Sequence, residues 1–354
     1  LFAPLSGSFV AEVAEDADLE GLDITELGKT TANNYFETDG ENVVLEELIK
    51  AWAGTLEGVF PTMAKSPLMT HDVPLYNNHY GKAPAIKAAA PRVIIPVFPG
   101  TNCEVDTARA FEKAGAKPKI LVVRNLTPKD IDESIAAFIK DINNSQIIML
   151  PGGFSGGDEP DGSGKFIATT LRNERVREAV QELLEKRDGL MLGICNGFQA
   201  LIKTGLVPYG KITDIEPSSP TLTFNSLGRH VSQMAYTRVT SIMSPWLRLV
   251  EAGDVHAVPI SHGEGRFVAD ESTLKQLIKN GQIATQYVDL FGQPCAQTPF
   301  NPNGSVCAVE GITSPDGRIF GKMAHSERKG ENLYKNVPFN KDQKIFESGV
   351  LYFK

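Results

Sequence analysis

Leu190-Met191-Leu192-Gly193-Ile194-Cys195-Asn196-Gly197-Phe198-Gln199 is an apolar run that ends on a G-x-C-x-G step. The run reads as a buried strand and the step as the opening of a helix, which puts a sulfur on a sharp strand-to-helix turn. The same grammar repeats upstream. Residues 93–98, 120–123 and 146–150 read as strands, separated by helices over 106–114, 128–140 with Thr127 as N-cap, and 165–186. Strands alternating with helices at this spacing predict an α/β protein with a mostly parallel open sheet and helices on both faces. Ligands of such sheets bind beyond the carboxyl ends of the strands.

After Pro208 the texture becomes β-rich. Residues 255–260 and 283–288 read as strands, and 306–312 and 319–323 flank Ser314-Pro315-Asp316-Gly317, a turn sequence that predicts a hairpin. Before residue 92, 1–70 reads as a small α/β piece. Residues 7–13 alternate as a strand does, and Leu45, Leu48, Ile49 and Trp52 have the spacing of one helix face over 45–52. Such a piece is too small to close a core alone. Residues 71–91, with prolines, Asn77-Asn78 and an Ala/Lys run, suit an exposed connector, which leaves 92–354 as the main domain.

The 354 residues are 42% hydrophobic and 22% charged, the balance of a folded globular protein. With 35 Lys and Arg against 43 Asp and Glu the net charge is -8, which argues against nucleic acid as a partner. Four cysteines, Cys103, Cys195, Cys295 and Cys307, are too few and too spread for a disulfide scaffold, and their spacing suits no metal site. A reducing, cytoplasmic setting is expected. No run approaches the ~18 apolar residues of a membrane span, and no signal peptide is visible. The chain opens on Leu1-Phe2-Ala3 with no Met, so it is read as a fragment of something longer.

The thiol of Cys195, ordinarily of pKa about 8.5, becomes a nucleophile when a helix N-terminus and an imidazole favour its thiolate. The bland alternative, a buried core thiol, stands about level with this once the flanking glycines are counted. Of six histidines, His325 ends a strand and is followed by Ser326 and Glu327. In an extended segment residues i and i+2 share a side, so Glu327 can orient the imidazole and support its protonated form; an incidental surface pair is the other reading. Leu150-Pro151-Gly152-Gly153-Phe154-Ser155-Gly156-Gly157-Asp158 is a third element at a strand end. Its glycines let backbone N–H groups approach a reacting carbonyl, and with the Asn196 N–H they can form an oxyanion hole. Gly162-Ser163-Gly164-Lys165 is not a phosphate loop, because Glu159 and Phe166 occupy positions that motif reserves for Gly and Ser/Thr. Pro99 to Glu104 and Ser261 to Arg266 are turns that can present polar groups, and Cys103, with no partner motif, reads as a spectator.

These residues together resemble the class I glutamine amidotransferases, and within them the glutaminase domains of the phosphoribosylformylglycinamidine synthases. The pieces FPGTNCE, LPGGFSGGD, GICNGFQ, ISHGEGRF and HSER, starting at Phe98, Leu150, Gly193, Ile260 and His325, occur in that order over about two thirds of the chain. The resemblance implies a flavodoxin-like fold, with Cys195 as nucleophile, His325 as general base and acid, and Glu327 as its orienting partner. Gly153 and Asn196 would supply the oxyanion N–H groups, and Gln199, His262, Gly263 and Glu264 would help hold glutamine. It implies no metal and no cofactor in this fragment. ATP and Mg would belong to a synthase portion lying outside it, of which 1–70 would be the end and which would receive the ammonia. There are two departures: Ser326 stands where many relatives have Pro, and the tail after Arg328 differs.

The readings set against this are a Cys-nucleophile peptidase or deglycase of related fold and a catalytically silent binding module. The first would need its His close after the elbow, whereas His325 lies 130 residues beyond Cys195. The intact trio speaks against the second.

Overall fold

The computed structural model describes residues 6–38, 40–64, 72–79, 81–155 and 164–354. The chain divides into two compact units, Leu1–Pro61 and Thr62–Lys354. In the first, strands β1 (Tyr35–Thr38) and β2 (Glu41–Val44) pair antiparallel, and helix α1 (Leu45–Gly54) follows at once. None of its described residues is buried, and Trp52 on the apolar face of α1 is 82% exposed. The strand expected over 7–13 does not form. Alternation alone cannot hold a strand with no neighbour to take up its backbone hydrogen bonds.

The connector expected over 71–91 is mostly exposed where it is described, yet it is tied down at several points. Val73 is buried, the Tyr76 N–H donates to the Thr240 carbonyl, its own carbonyl accepts from Ile242, and the Ala88 N–H donates to the Phe353 carbonyl. These residues belong to the second unit, and the boundary expected at 70/71 lies outside the described residues.

The second unit begins with β3 (Arg92–Val97), α2 (Glu104–Lys113), β4 (Lys117–Val122), α3 (Pro128–Asn143) and β5 (Ile147–Leu150). Thr127 caps α3 in a reciprocal capping box with Asp130, which fixes where that helix starts. The helix expected over 165–186 is two, α4 (Lys165–Arg172) and α5 (Glu174–Glu185). Asn173 leaves the helical conformation and accepts from the Val176 N–H, so a side chain that competes with the backbone breaks one helix and caps the next. Then come β6 (Leu190–Ile194), α6 (Asn196–Thr204) and the single turn α7 (Leu206–Tyr209). The β-rich part contains β7 (Thr221–Phe224), β8 (Val231–Val239), β9 (Val255–His262), β10 (Glu264–Val268), α8 (Glu271–Lys279), β11 (Ile283–Tyr287), β12 (Val309–Thr313) and β13 (Ile319–Lys322), closed by α9 (Ile345–Leu351).

Nine strands form one sheet in the order β4-β3-β5-β6-β13-β12-β11-β8-β9. The α/β class holds, but the sheet is more mixed than expected: β4 to β13 along this order are parallel, and every pairing from β13 to β9 is antiparallel. The expected hairpin is β12–β13, closed by the Gly317 N–H donating to the Ser314 carbonyl. From β3 the chain steps outward to β4 and then back past it to β5 and β6. Right-handed crossovers therefore place α2 on one face and α3, α4 and α5 on the other. Phe111 of α2 meets Phe346 of α9 edge-on with ring centroids 5.0 Å apart, while α3 packs on α5. The strand order reverses between β3 and β5, and beyond the carboxyl ends of such strands a crevice opens.

Candidate active site

β6 is buried along its length and delivers Cys195 at φ 51° and ψ -105°, a conformation that non-glycine residues adopt only where the surroundings impose it. The flanking glycines impose it. A Cβ on Gly197 would lie 2.0 Å from the Leu150 carbonyl oxygen, and one on Gly193 would lie 2.6 Å from Leu201 Cδ1, so only glycines let α6 press against the sheet here. Cys195 is buried, its Sγ 3.8 Å from the Ser261 carbonyl oxygen, and its N–H donates to the Lys322 carbonyl at 2.8 Å.

That bond ties Cys195 to the neighbouring strand. Lys322 of β13 stands opposite Ile194, so Cys195 lies level with Met323 and His325 arrives two residues later. The His325 Nδ1 lies 2.6 Å from Glu327 Oε1, with both side chains buried. Sequence alternation predicted this pairing along a strand, but β13 has already ended. A turn makes it instead, with the Arg328 N–H donating to the His325 carbonyl. Burial by itself would raise the Glu327 carboxyl, yet the charge and hydrogen bond of His325, with help from Arg328, hold it below the usual carboxylate range. With Nδ1 committed to Glu327, Nε2 is the ring nitrogen that can serve Cys195.

The imidazole is also bounded on its far side. A Cβ on Gly152, just past β5, would lie 2.7 Å from His325 Cε1. Since β6 runs between β5 and β13, a ring rooted beyond β13 that reaches Gly152 crosses the end of β6, where Cys195 sits.

Gly153 adopts φ 146°, and a Cβ there would meet the Gly100 carbonyl oxygen and Thr101 Cα at 2.7 Å. It forms a bridge with Thr101 in which the neighbours carry the bonds, Phe154 N–H to the Gly100 carbonyl and Asn102 N–H to the Gly152 carbonyl, so the Gly153 N–H faces away from Thr101. Asn196 is the first residue of α6, where a backbone N–H has no intrahelical acceptor. These are the two N–H groups expected for an oxyanion. The rest of that loop, Gly156 to Asp158, lies outside the described residues, as do Gly162 and Ser163.

The Gln199 amide is engaged within the protein: Oε1 accepts from Asn196 Nδ2 at 2.9 Å and Nε2 donates to the Glu264 carbonyl. It braces the 261–264 segment, whose Ser261 carbonyl faces the Cys195 sulfur. His262 is buried, and burial, then the charges of His325 and His230, push its imidazole down to about 3. As a neutral ring it shares a hydrogen bond of 3.2 Å between Nδ1 and Asn225 Oδ1. Gly263 holds Asn225 through its carbonyl and opens onto free space, and Glu264 begins β10 with its side chain buried.

Cys103, expected to be a spectator, lies against His325 and Arg328. Its Sγ lies 3.8 Å from His325 Nδ1, 3.1 Å from Arg328 Nη2 and 3.1 Å from Asn102 Oδ1. Burial foremost, then the Glu327 charge, pushes the thiol up to about 11, so a neutral S–H flanks the imidazole. Arg328 also interacts with the charge of Cys195. The signal that could have found Cys103 was its place just after the first parallel strand, on the same edge as the elbow. Donor atoms of Cys103, His325 and Glu327 lie within 4.8 Å of one another, but Arg328 occupies the sulfur and Glu327 the ring nitrogen. The trio is thus held together by its own hydrogen bonds and by Arg328.

A profile of the CobB/CobQ-like glutamine amidotransferase domain matches residues 90–353. The chain is 36% identical over 239 residues to the phosphoribosylformylglycinamidine synthase subunit PurQ of Methanococcus maripaludis, covering 67% of this chain and 82% of that one. It is 34% identical over 251 residues to the PurQ subunit of Treponema denticola, covering 67% and 87%. Among solved structures, that of PurLQS from Thermotoga maritima aligns with a TM-score of 0.54 and 26% identity, over 75% of this chain and 100% of the other.

Proposed function

The chain belongs to the CobB/CobQ-like glutamine amidotransferase family, among the glutaminases of phosphoribosylformylglycinamidine synthase in purine biosynthesis, and we propose that Cys195, His325 and Glu327 carry its reaction. The observation that bears this reading is the imidazole lying across the end of β6, gripped by Glu327 and hemmed by Gly152.

Cys195 gives its proton to His325 Nε2, and Glu327 and Arg328 stabilise the resulting charges. The thiolate attacks the side-chain carbonyl carbon of glutamine. A C–S bond forms, and the oxygen, now negative, is met by the Gly153 and Asn196 N–H groups, each worth about 3 to 4 kcal/mol in a site of this kind. His325 returns its proton to the departing nitrogen, the C–N bond breaks, and ammonia leaves. Water, deprotonated by His325, then cleaves the γ-glutamyl thioester to glutamate and frees the thiol. The segment His262 to Glu264, braced by Gln199, forms the side of the site that faces glutamine.

Ammonia passes to a synthase portion, where ATP and Mg support amidation of formylglycinamide ribonucleotide; no residue of this chain is assigned to them. No described helix is long and apolar enough to cross a membrane. The test is ammonia release from glutamine, with and without the synthase portion, alongside labelling by a glutamine analogue. We expect an adduct on Cys195 and loss of both signals in Cys195→Ala. Turnover that survives Cys195→Ala would refute the assignment.

A further inference from the structure

The hairpin β12–β13 carries two charged side chains that solvent does not reach. Glu310 and Lys322 are both 0% exposed, with Nζ 3.2 Å from Oε1. Gly311, opposite Lys322 in the ladder, makes the room: a Cβ there would lie 3.0 Å from Lys322 Cβ and 2.8 Å from Thr285 Oγ1. Thr285 donates to the second carboxylate oxygen. Taking two charges out of water costs as much as their attraction returns, and apolar replacements of a buried pair are often neutral or stabilising. Stability alone therefore does not account for the pair.

What it grips is the residue before the base. The Ala324 N–H donates to Glu310 Oε1 at 2.7 Å, and the Ala324 carbonyl accepts from Lys322 Nζ at 2.7 Å. The Lys322 carbonyl is also the acceptor for the Cys195 N–H. We propose that the Glu310–Lys322 pair is a positioning clamp that holds the backbone entering His325 in register with Cys195. It acts through Ala324 and touches neither substrate nor reacting atoms. The inference rests on Cys195 and His325 being nucleophile and base.

Two substitutions in the full-length protein separate the hydrogen bond from the charge. Glu310→Asp keeps the charge but withdraws the oxygen from Ala324, and kcat for glutamine hydrolysis should fall roughly tenfold or more with KM unchanged. Glu310→Gln keeps an acceptor for Ala324 and loses the charge, and kcat should stay within about threefold. The double variant Glu310→Leu with Lys322→Met should hold its melting temperature while losing kcat at least as far as Glu310→Asp. Full kcat in Glu310→Asp, equal losses in Asp and Gln, or a loss in KM alone would overturn the clamp. Should the double variant fail to fold, the Asp and Gln contrast decides by itself. An unsubstituted protein that releases no ammonia would instead sink the reading of Cys195 and His325.

Discussion

Gly152→Ala is the sharpest perturbation of the site. The new methyl would lie 2.7 Å from His325 Cε1, 3.1 Å from Cys103 Sγ and 3.4 Å from His325 Nδ1. Carbon atoms in contact sit about 3.5 to 4.0 Å apart, so the imidazole must retreat by about 0.8 Å. Gly152 is not in the left-handed region, so the backbone tolerates Ala and the strain falls on the ring. The ring cannot retreat freely, because Nδ1 is held at 2.6 Å by Glu327. A misplacement of about 1 Å in a reacting group can cost about 100-fold, and overpacking costs about 1 to 3 kcal/mol of stability. We expect kcat for ammonia release to fall by roughly 10- to 100-fold, about 1.4 to 2.8 kcal/mol in the barrier, with KM nearly unchanged. A continuous ammonia assay with a parallel thermal melt measures both. A variant with kcat within twofold of the parent and an unshifted melt would show that the ring does not lie against Gly152.

Three further outcomes follow from the same geometry. Gly197→Ala drives a methyl to 2.0 Å from a backbone oxygen of β5, so thermal or denaturant unfolding should show a loss of about 3 kcal/mol or more, and a loss under 1 kcal/mol would contradict the close approach of α6. His262 titrates at about 3 when folded against 6.5 when free, so between those values the unfolded chain binds a proton that the folded one refuses, and stability falls as the pH drops through that window. At two units below the free value the loss is about 3 kcal/mol, and His262→Gln should flatten that limb in unfolding curves measured against pH; an unchanged slope would be the contrary result. Cys103, held up at about 11, should resist alkylation by iodoacetamide at pH 7.5 when peptides are mapped, and prompt modification there would mean that its thiolate is accessible.

The elbow and the parallel strands were legible because each is a local pattern: an apolar run of strand length, then glycines where a helix must approach. The α/β class, the hairpin at Ser314 to Gly317 and the N-cap at Thr127 follow from the same kind of signal. What stayed hidden depends on distant partners. Residues 7–13 alternate but have no neighbouring strand, and Asn173 breaks a helix that periodicity would carry through. Glu310 and Lys322 interrupt apolar strands as solvent-facing residues would, yet both are fully buried. Cys103 comes to lie beside His325 only when the turn after β3 meets the one after β5, through the Cys103 N–H bond to the Gly152 carbonyl.

The distance in sequence between Cys195 and His325 has a structural reason. In a parallel pair the carboxyl ends of both strands lie at one edge, and in an antiparallel pair they lie at opposite edges. A hairpin return to β6 would have carried His325 to the wrong end of the sheet. The chain instead builds β8, β9, β11 and β12 before it sets β13 parallel to β6, in a register that places Lys322 beside Ile194. Strands about 4.8 Å apart then bring the proposed base and nucleophile to the same edge, and β5 on the other side supplies Gly152 as a stop for the ring. On the proposed roles the antiparallel half serves the reaction: it is the detour that lets a second strand end beside the elbow pointing the same way.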